Sequence, residues 1–272
     1  MLKQRVITAL VLVTGLLVAL LWFPQWAWLA LVSMICAVGA WEWGGLTAQG
    51  GRTRLAFSLG AGVLALGLGF AGGLGGFAGQ TWILVAAYLS SVALWVAFVP
   101  LWLRGGWVVS AHTAMLVGII VLVPTALAMA QLRAVDAMFM LFALVLVWVA
   151  DIAAYFSGRA FGRNKLAPSV SPGKTWEGAF GALIGVVACG IAGYSLMLSE
   201  PPGIATLAWL IPLLAAYTAL SIIGDLFESL VKRKAGAKDS GALLPGHGGV
   251  LDRIDSLTST LPVAGLILVW LH

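Results

Sequence analysis

The stretch SIIGDLFESLVKRK, residues 221–234, places Ser221, Asp225, Glu228, Ser229 and Lys232 at intervals of three and four. On a helix these side chains share one face. Asp225 follows an apolar run and precedes a basic cluster, so it belongs near a boundary between apolar and aqueous surroundings, facing inward with the two serines. Glu228 and Lys232 also read as a plain i,i+4 surface pair with a snorkelling lysine. Downstream, Pro245, Gly246, Gly248 and Gly249 make helix improbable around His247 and allow close backbone approach to a ligand. Free amides in such a turn, followed by a helix start at Leu251–Asp252, suit an anionic group. Asp252 and Asp255, three apart, can face one way, with Arg253 pointing elsewhere or folding back.

A third group lies in DIAAYFSGRAFGRNKLAPSVSPGKTWEG, residues 151–178. Asp151 precedes Arg159, Arg163, Lys165 and Lys174, and the Gly and Pro between them imply a tightly turned basic loop fit for phosphates. The SPGKT run is not a P-loop: that pattern needs a glycine where Pro168 stands. Lys174 is then a point charge for phosphate or, more plainly, a membrane-surface lysine. The donors are hard carboxylates with one central histidine and no cysteine, a set that favours Mg²⁺, which leaves most of its shell to phosphate and water.

The elements that must hold these residues are apolar. The 272 residues are 61% hydrophobic and 9% charged, whereas soluble domains carry about a quarter charged residues. Runs near 20 apolar residues recur throughout. They predict nine helical spans, near 6–23, 26–46, 55–73, 82–103, 112–131, 137–157, 178–198, 205–227 and 256–271. Isolated strands cannot satisfy their backbone in lipid, so the expected class is an all-α, polytopic integral membrane protein. With the N-terminus cytoplasmic and the C-terminus periplasmic, fourteen of the fifteen Lys and Arg fall inside, leaving Arg133 outside. The first run, although it resembles a signal peptide, lacks a small-x-small cleavage site and is read as a retained span. The net charge of +5 fits cytoplasmic loops on anionic lipid better than nucleic-acid binding. Cys36 and Cys189 sit in apolar runs and read as small buried hydrophobes.

Residues 151–255 hold nine of the fifteen cations and eight of the ten acids. A charge at mid-bilayer costs about 2.5–3.5 kcal/mol on insertion scales. The cluster therefore belongs at one face or in a wet cavity. This divides the chain into an N-terminal scaffold, 1–136, with about five spans, and a catalytic membrane domain, 137–272, with about four spans and cytoplasmic loops at 158–177 and 228–255. The glycine-rich run 60–79 contains the GxxxG spacings Gly69/Gly73 and Gly72/Gly76. It reads as a flexible outer loop after a glycine-tolerant span rather than as a helix contact. No internal repeat supports an inverted-repeat transporter.

The pattern S-x-x-K-R-x-x-x-x-K-D-x-G-x-x-x-P-G-H-G-G-x-x-D-R-x-D-S, Ser229 to Ser256, resembles the hallmark of the phosphatidate cytidylyltransferase (CDP-diacylglycerol synthase) family. Residues 151–178, read as DxxAYFxGRxFGRxKLxPxxSPGKTxEG, resemble a second block of that family. Together they cover about the last two-fifths of the chain. The resemblance implies an inner-membrane, dimeric, all-helical enzyme that joins CTP to phosphatidic acid and gives CDP-diacylglycerol and pyrophosphate. It implies Mg²⁺ and a second monovalent cation such as K⁺. On that footing Asp225, Asp252, Lys232 and His247 are the expected catalytic residues, and Asp225, Asp252, Asp255 and Asp151 the expected metal ligands. Asn164, Lys165, Ser171, Lys174, Thr175, Ser221, Ser229, Arg233, Lys238, Asp239, Gly248, Gly249 and Arg253 are expected to bind substrate. A homodimer and a site facing the cytoplasm also follow from it. The rival readings are a transporter of an anionic or lipidic solute, weakened by charges gathered on one face, and a CTP-dependent polyprenol or lipid kinase, which would release CDP instead of pyrophosphate.

Overall fold

The computed structural model describes residues 2–76 and 78–271, with side chains from 6 to 270 except residue 77. The side chains of Lys3 and Arg5, expected on the cytoplasmic side, lie outside the described residues. The chain forms α1 (Leu2–Trp22), α2 (Gln25–Leu46), α3 (Gly51–Ala71), α4 (Thr81–Ala93), a π-helical turn (Leu94–Phe98), α5 (Val99–Gly105), α6 (Ala111–Val135), α7 (Ala137–Phe161), β1 (Lys165–Ala167), β2 (Ser171–Thr175), α8 (Trp176–Leu198), α9 (Ile204–Lys234) and α10 (Leu251–Leu271). Among the described residues, seven helical stretches are long and apolar enough to cross a membrane: α2, α3, the α4–α5 unit, α6, α7, α8 and α9. The protein is an all-α integral membrane protein. Val63, Ile184, Leu196 and other large apolar side chains are exposed on its outer face, where lipid is the solvent that accepts them.

Helix α6 is central, and every residue from Val121 to Leu132 is buried. It packs against α2, α3, α4, α7 and α10. Arg133, the cation expected alone on the outer side, ties the end of α6 to the α1–α2 turn. Its guanidinium donates to Leu20 O at 3.1 Å, to Gln25 Oε1 at 2.8 Å and to Phe23 O. A second, smaller core of Leu146, Ala150, Ala182, Val186, Leu210 and Leu214 joins α7, α8 and α9. Here α8 lies close against α7: a Cβ on Gly185 would stand 2.9 Å from the Ala153 Cβ. Small residues at such a seam let two membrane helices approach.

Two features depart from the sequence reading. The basic 158–177 segment is shorter than expected and holds an antiparallel hairpin, with Lys165 opposite Thr175 and Ala167 opposite Ser171. Its backbone is therefore paired within itself, outside the span lengths, where water and the partner strand can satisfy it. The 60–79 run is not a loop from its start, because α3 continues to Ala71. Gly62 and Gly69 meet Ala37 and Leu29 of α2, and the chain turns at Gly72–Gly76. Leucine and alanine between the glycines keep the helix, since each glycine weakens it by only about 1 kcal/mol.

Helix α9 explains how charge leaves the apolar layer. Its 31 residues rise about 46 Å at 1.5 Å each, and a hydrocarbon layer of about 30 Å covers roughly 20 of them. The segment from Asp225 onward extends past that length. Phe227 in this segment is held by α4–α5 aromatics: its ring packs edge-on to Trp95 at 5.5 Å and to Trp102 at 5.3 Å.

Candidate active site

Two hollows open beside the charged end of α9. One, of about 530 Å³, lies between α7, α8, α9 and β2, and its polar lining includes Asp151, Arg159, Ser171, Lys174, Ser221 and Asp225. The other, of about 560 Å³, is shaped by the 238–248 loop and includes Lys238, Asp239, His247 and Arg253. The first has an apolar body formed in part by Ala150, Ala154, Leu166, Ala179, Ala182 and Ile222. Polar groups converging on an apolar concavity are what an amphiphilic ligand requires.

Local structure fixes each side chain. The β-hairpin presents Lys174, and Thr175 ends it by capping α8, its Oγ1 accepting from Gly178 N at 3.1 Å. Such caps stabilise a helix by about 1 kcal/mol. Asn164 closes the base of the hairpin, donating from Nδ2 to Glu177 Oε1 at 2.7 Å, while its carbonyl accepts from Trp176 N at 2.9 Å. On the other side α9 and α10 approach closely at Gly224, where an added Cβ would lie 2.8 Å from Asp255 O. That approach turns Asp225 and Glu228 toward the acids of α10.

A chain of charges results. Lys174 Nζ lies 2.6 Å from Asp225 Oδ2, and Asp225 Oδ1 accepts from Ser229 Oγ at 3.2 Å. Lys232 Nζ bridges Glu228 Oε2 at 2.9 Å and Asp252 Oδ1 at 2.6 Å. The Asp255 carboxyl is near enough to Asp225, Glu228 and Asp151 for their charges to oppose one another. Asp252 Oδ2 accepts from Gly249 N at 2.8 Å, Ser240 N at 2.9 Å and Ser240 Oγ at 3.0 Å. Two lysines thus hold together acids that would otherwise repel. Among the described residues, no three His, Cys, Asp or Glu side chains stand together as a ready metal-binding group.

Residues 3–271 match the cytidylyltransferase family. The chain belongs to that family. It is 40% identical to the phosphatidate cytidylyltransferase of Pseudomonas aeruginosa over 279 aligned residues, covering 98% of this chain and 97% of the relative. The enzyme of the same name from Haemophilus influenzae is 51% identical over 45% of this chain and 43% of its own length. That of Thermotoga maritima is 40% identical over 47% of each.

Of the expected site residues, Asp151, Ser171, Lys174, Thr175, Ser221 and Asp225 share one hollow, while Lys238, Asp239, Gly248, His247 and Arg253 share the other. Lys232 and Asp252 form the ion pair beside them. Several expectations change. Glu228 is no surface partner of Lys232: it is 3% exposed, because α10 closes over it. The Gly249 amide is not free for a substrate, since the Asp252 carboxylate folds back onto it. Asn164 is engaged with Glu177, and Lys165 and Arg233 are exposed outside either hollow. His247 anchors through its backbone, its carbonyl accepting from Arg253 at 2.9 Å, and Nδ1 has no hydrogen-bond partner among the described residues. Arg253 does fold back, as the sequence allowed.

One residue was missed. Glu42 on α2, 1% exposed, reaches the 240–251 loop and accepts from Val250 N, Leu251 N and Ser240 Oγ. It is the only acid in residues 1–135, and that isolation inside a 22-residue apolar helix was the available clue.

Proposed function

We propose that this chain is a phosphatidate cytidylyltransferase that joins CTP to phosphatidic acid and releases CDP-diacylglycerol and pyrophosphate. The observation that carries this reading is the 40% identity to the P. aeruginosa enzyme across 98% of the chain. The chemistry suits the residues. The phosphomonoester of phosphatidate is largely dianionic at neutral pH and already nucleophilic. One of its oxygens bonds to the α-phosphorus of CTP as the bond from that phosphorus to the β-phosphate bridging oxygen breaks, and pyrophosphate leaves with the electron pair. No strong general base is required.

The obstacle is repulsion. Two unit charges 4 Å apart oppose each other by about 4 kcal/mol at an effective dielectric of 20. Lys174 and Lys232 sit at the centre of the charge chain, and Lys238 and Arg253 border the second hollow. These cations offset phosphate charge where substrate meets the site. Ser171 and Ser221 line the first hollow beside Asp225 and can orient phosphate oxygens. The apolar body of that hollow suits the glycerol and upper acyl portion of the lipid, and the polar loop of the other suits a nucleotide.

Mg²⁺ belongs to the proposal. The donors are carboxylate oxygens, which suit a hard cation. Glu228 Oε1 is buried with no hydrogen-bond partner among the described residues, and the acids around it outnumber the two lysines. Asp225 and Asp252 would hold the ion, with Asp255 and Asp151 beside them, once Lys174 and Lys232 turn to phosphate. Bound there, Mg²⁺ supplies neutralisation of the triphosphate and the departing pyrophosphate. A second monovalent cation such as K⁺ and a homodimer complete the reading.

The proposal also has nine crossings of the inner membrane, N-terminus cytoplasmic, C-terminus periplasmic, and a site open to cytoplasmic CTP. In its support, α1 and α10 are each 21 residues, the length of the α3 span. The deciding assay supplies purified protein with CTP, phosphatidate and Mg²⁺. Pyrophosphate and CDP-diacylglycerol in equal amounts are expected. Release of CDP with a phosphorylated lipid would replace this reading with a kinase.

A further inference from the structure

The 239–251 loop and the first turn of α10 are fastened to a carboxylate from the opposite half of the chain. Glu42 Oε1 accepts from Val250 N at 3.0 Å, and Glu42 Oε2 accepts from Leu251 N at 2.7 Å and from Ser240 Oγ at 3.0 Å. The first amides of a helix have no partner within it and carry partial positive charge. An anion there satisfies both needs, and no lysine or arginine pairs with Glu42 among the described residues. Its buried charge is therefore held by the loop and the helix start themselves.

The loop is also shaped to admit it. A Cβ on Gly241 would lie 2.6 Å from Glu42 Oε1, and one on Gly249 would lie 2.5 Å from Glu42 Oε2. The Ser240 hydroxyl stands 3.0 Å from both Glu42 Oε2 and Asp252 Oδ2. It has one proton, so it donates to one carboxylate at a time, and its position depends on both. The same Asp252 oxygen accepts from Gly249 N, next to the amides that Glu42 holds. Moving Glu42 therefore moves the donors that aim Asp252 at Lys232.

We propose that Glu42 is a positioning residue for the cytidylyl-transfer site: through Ser240 and the α10 amides it sets where Asp252 and the 238–248 loop stand. The N-terminal helices are then part of the working site and not only a scaffold around it. The inference rests on the transferase reading, so its test carries a readout independent of activity.

Glu42→Gln keeps the shape but exchanges an accepting oxygen for an NH₂ that faces donors. In the full-length protein in detergent, pyrophosphate release is expected to fall about 100-fold in kcat, the scale of a 1 Å misplacement, with the KM for phosphatidate unchanged. Hydrogen exchange is expected to quicken in peptides covering 239–251 while α6 and α7 stay protected. Gly241→Ala, which displaces the carboxylate and keeps its charge, must give the same local pattern. Normal kcat with normal exchange in these variants overturns the inference, and so does exchange that rises equally through the chain. If the wild-type protein forms no pyrophosphate, the transferase reading fails, while the exchange pattern alone still decides whether Glu42 holds the loop.

Discussion

Lys232 and Asp252, on different helices, are joined by a 2.6 Å ion pair in which the two side chains are 13% and 6% exposed. The same ammonium serves Glu228, which is 4% exposed at its side chain. Removing one member of such a group leaves charge buried without a partner, which costs about 3–5 kcal/mol. Lys232→Met is therefore expected to lower the melting temperature strongly and to abolish pyrophosphate release. Adding Asp252→Asn should recover part of the melting temperature and none of the activity. Thermal unfolding in detergent, read beside turnover, checks both halves.

Lys174 and Asp225 make a pair as short, 2.6 Å, but their side chains are 25% and 30% exposed. Solvent screening reduces such a pair to about 0–1 kcal/mol. Lys174→Met is expected to leave the melting temperature nearly unchanged and to lower turnover by about 100-fold or more, the scale of losing one charge-stabilising donor. The contrast with Lys232→Met separates a lysine held for phosphate from one that also holds the fold.

The spans were legible because lipid imposes one requirement on every residue of a crossing helix, and the apolar runs match α2 to α8 within a few positions, while α9 runs on to Lys234, past the expected end at 227. The helix face of Ser221, Asp225, Glu228, Ser229 and Lys232 was legible for the same reason: one period fixes all five. The partners across helices were not. Nothing in local spacing sets Lys174 against Asp225 or Lys232 against Asp252, since those pairs depend on how α9 meets α8 and α10. Glu42 was less visible still, 208 residues from Val250. The 165–175 hairpin was hidden by its glycine and prolines, which read as turn and left the strand on either side of Pro168 only a few residues long.

Gly248 has φ +80°, and a Cβ there would stand 2.6 Å from Asp252 Oδ2. Both the backbone and the space exclude a side chain. Gly248→Ala is expected to displace Asp252 from its amides and lower turnover by about 100-fold, with little change in the yield of membrane-inserted protein. Gly236 also has a positive φ, +68°, but open space around it. Gly236→Ala should strain the backbone alone and keep most activity. Parallel assays of the two variants test whether contact with Asp252, rather than loop strain, is what matters.

Chelation tests the metal. EDTA is expected to stop pyrophosphate release, and excess Mg²⁺ to restore it, if carboxylates around Glu228 hold the ion. Asp225→Asn should then raise the Mg²⁺ concentration for half-maximal rate. Asp239→Asn, on the loop that lines the second hollow, should shift that concentration less even if it weakens CTP binding. Equal shifts in both variants would argue against a metal held by the α9 and α10 acids.

The orientation can be read with single cysteines in a background where Cys36 and Cys189 are replaced. Ser169 lies in the turn of the β-hairpin, between β1 and β2, and is exposed; Glu200 lies in the short α8–α9 connection and is exposed too. Helix α8, 23 residues long, separates them, and 23 residues span about 34 Å, enough to cross the hydrocarbon. If the basic hairpin faces the cytoplasm, Ser169→Cys in intact cells should resist a membrane-impermeant maleimide and react after permeabilisation. Glu200→Cys should react in intact cells once the outer envelope admits the reagent. Both predictions depend on the cations Arg163, Lys165 and Lys174 fixing the hairpin inside, because moving them through the bilayer with the chain is the costly alternative. The reverse labelling pattern would turn the site outward, away from CTP, and would require a different nucleotide source or a different reaction.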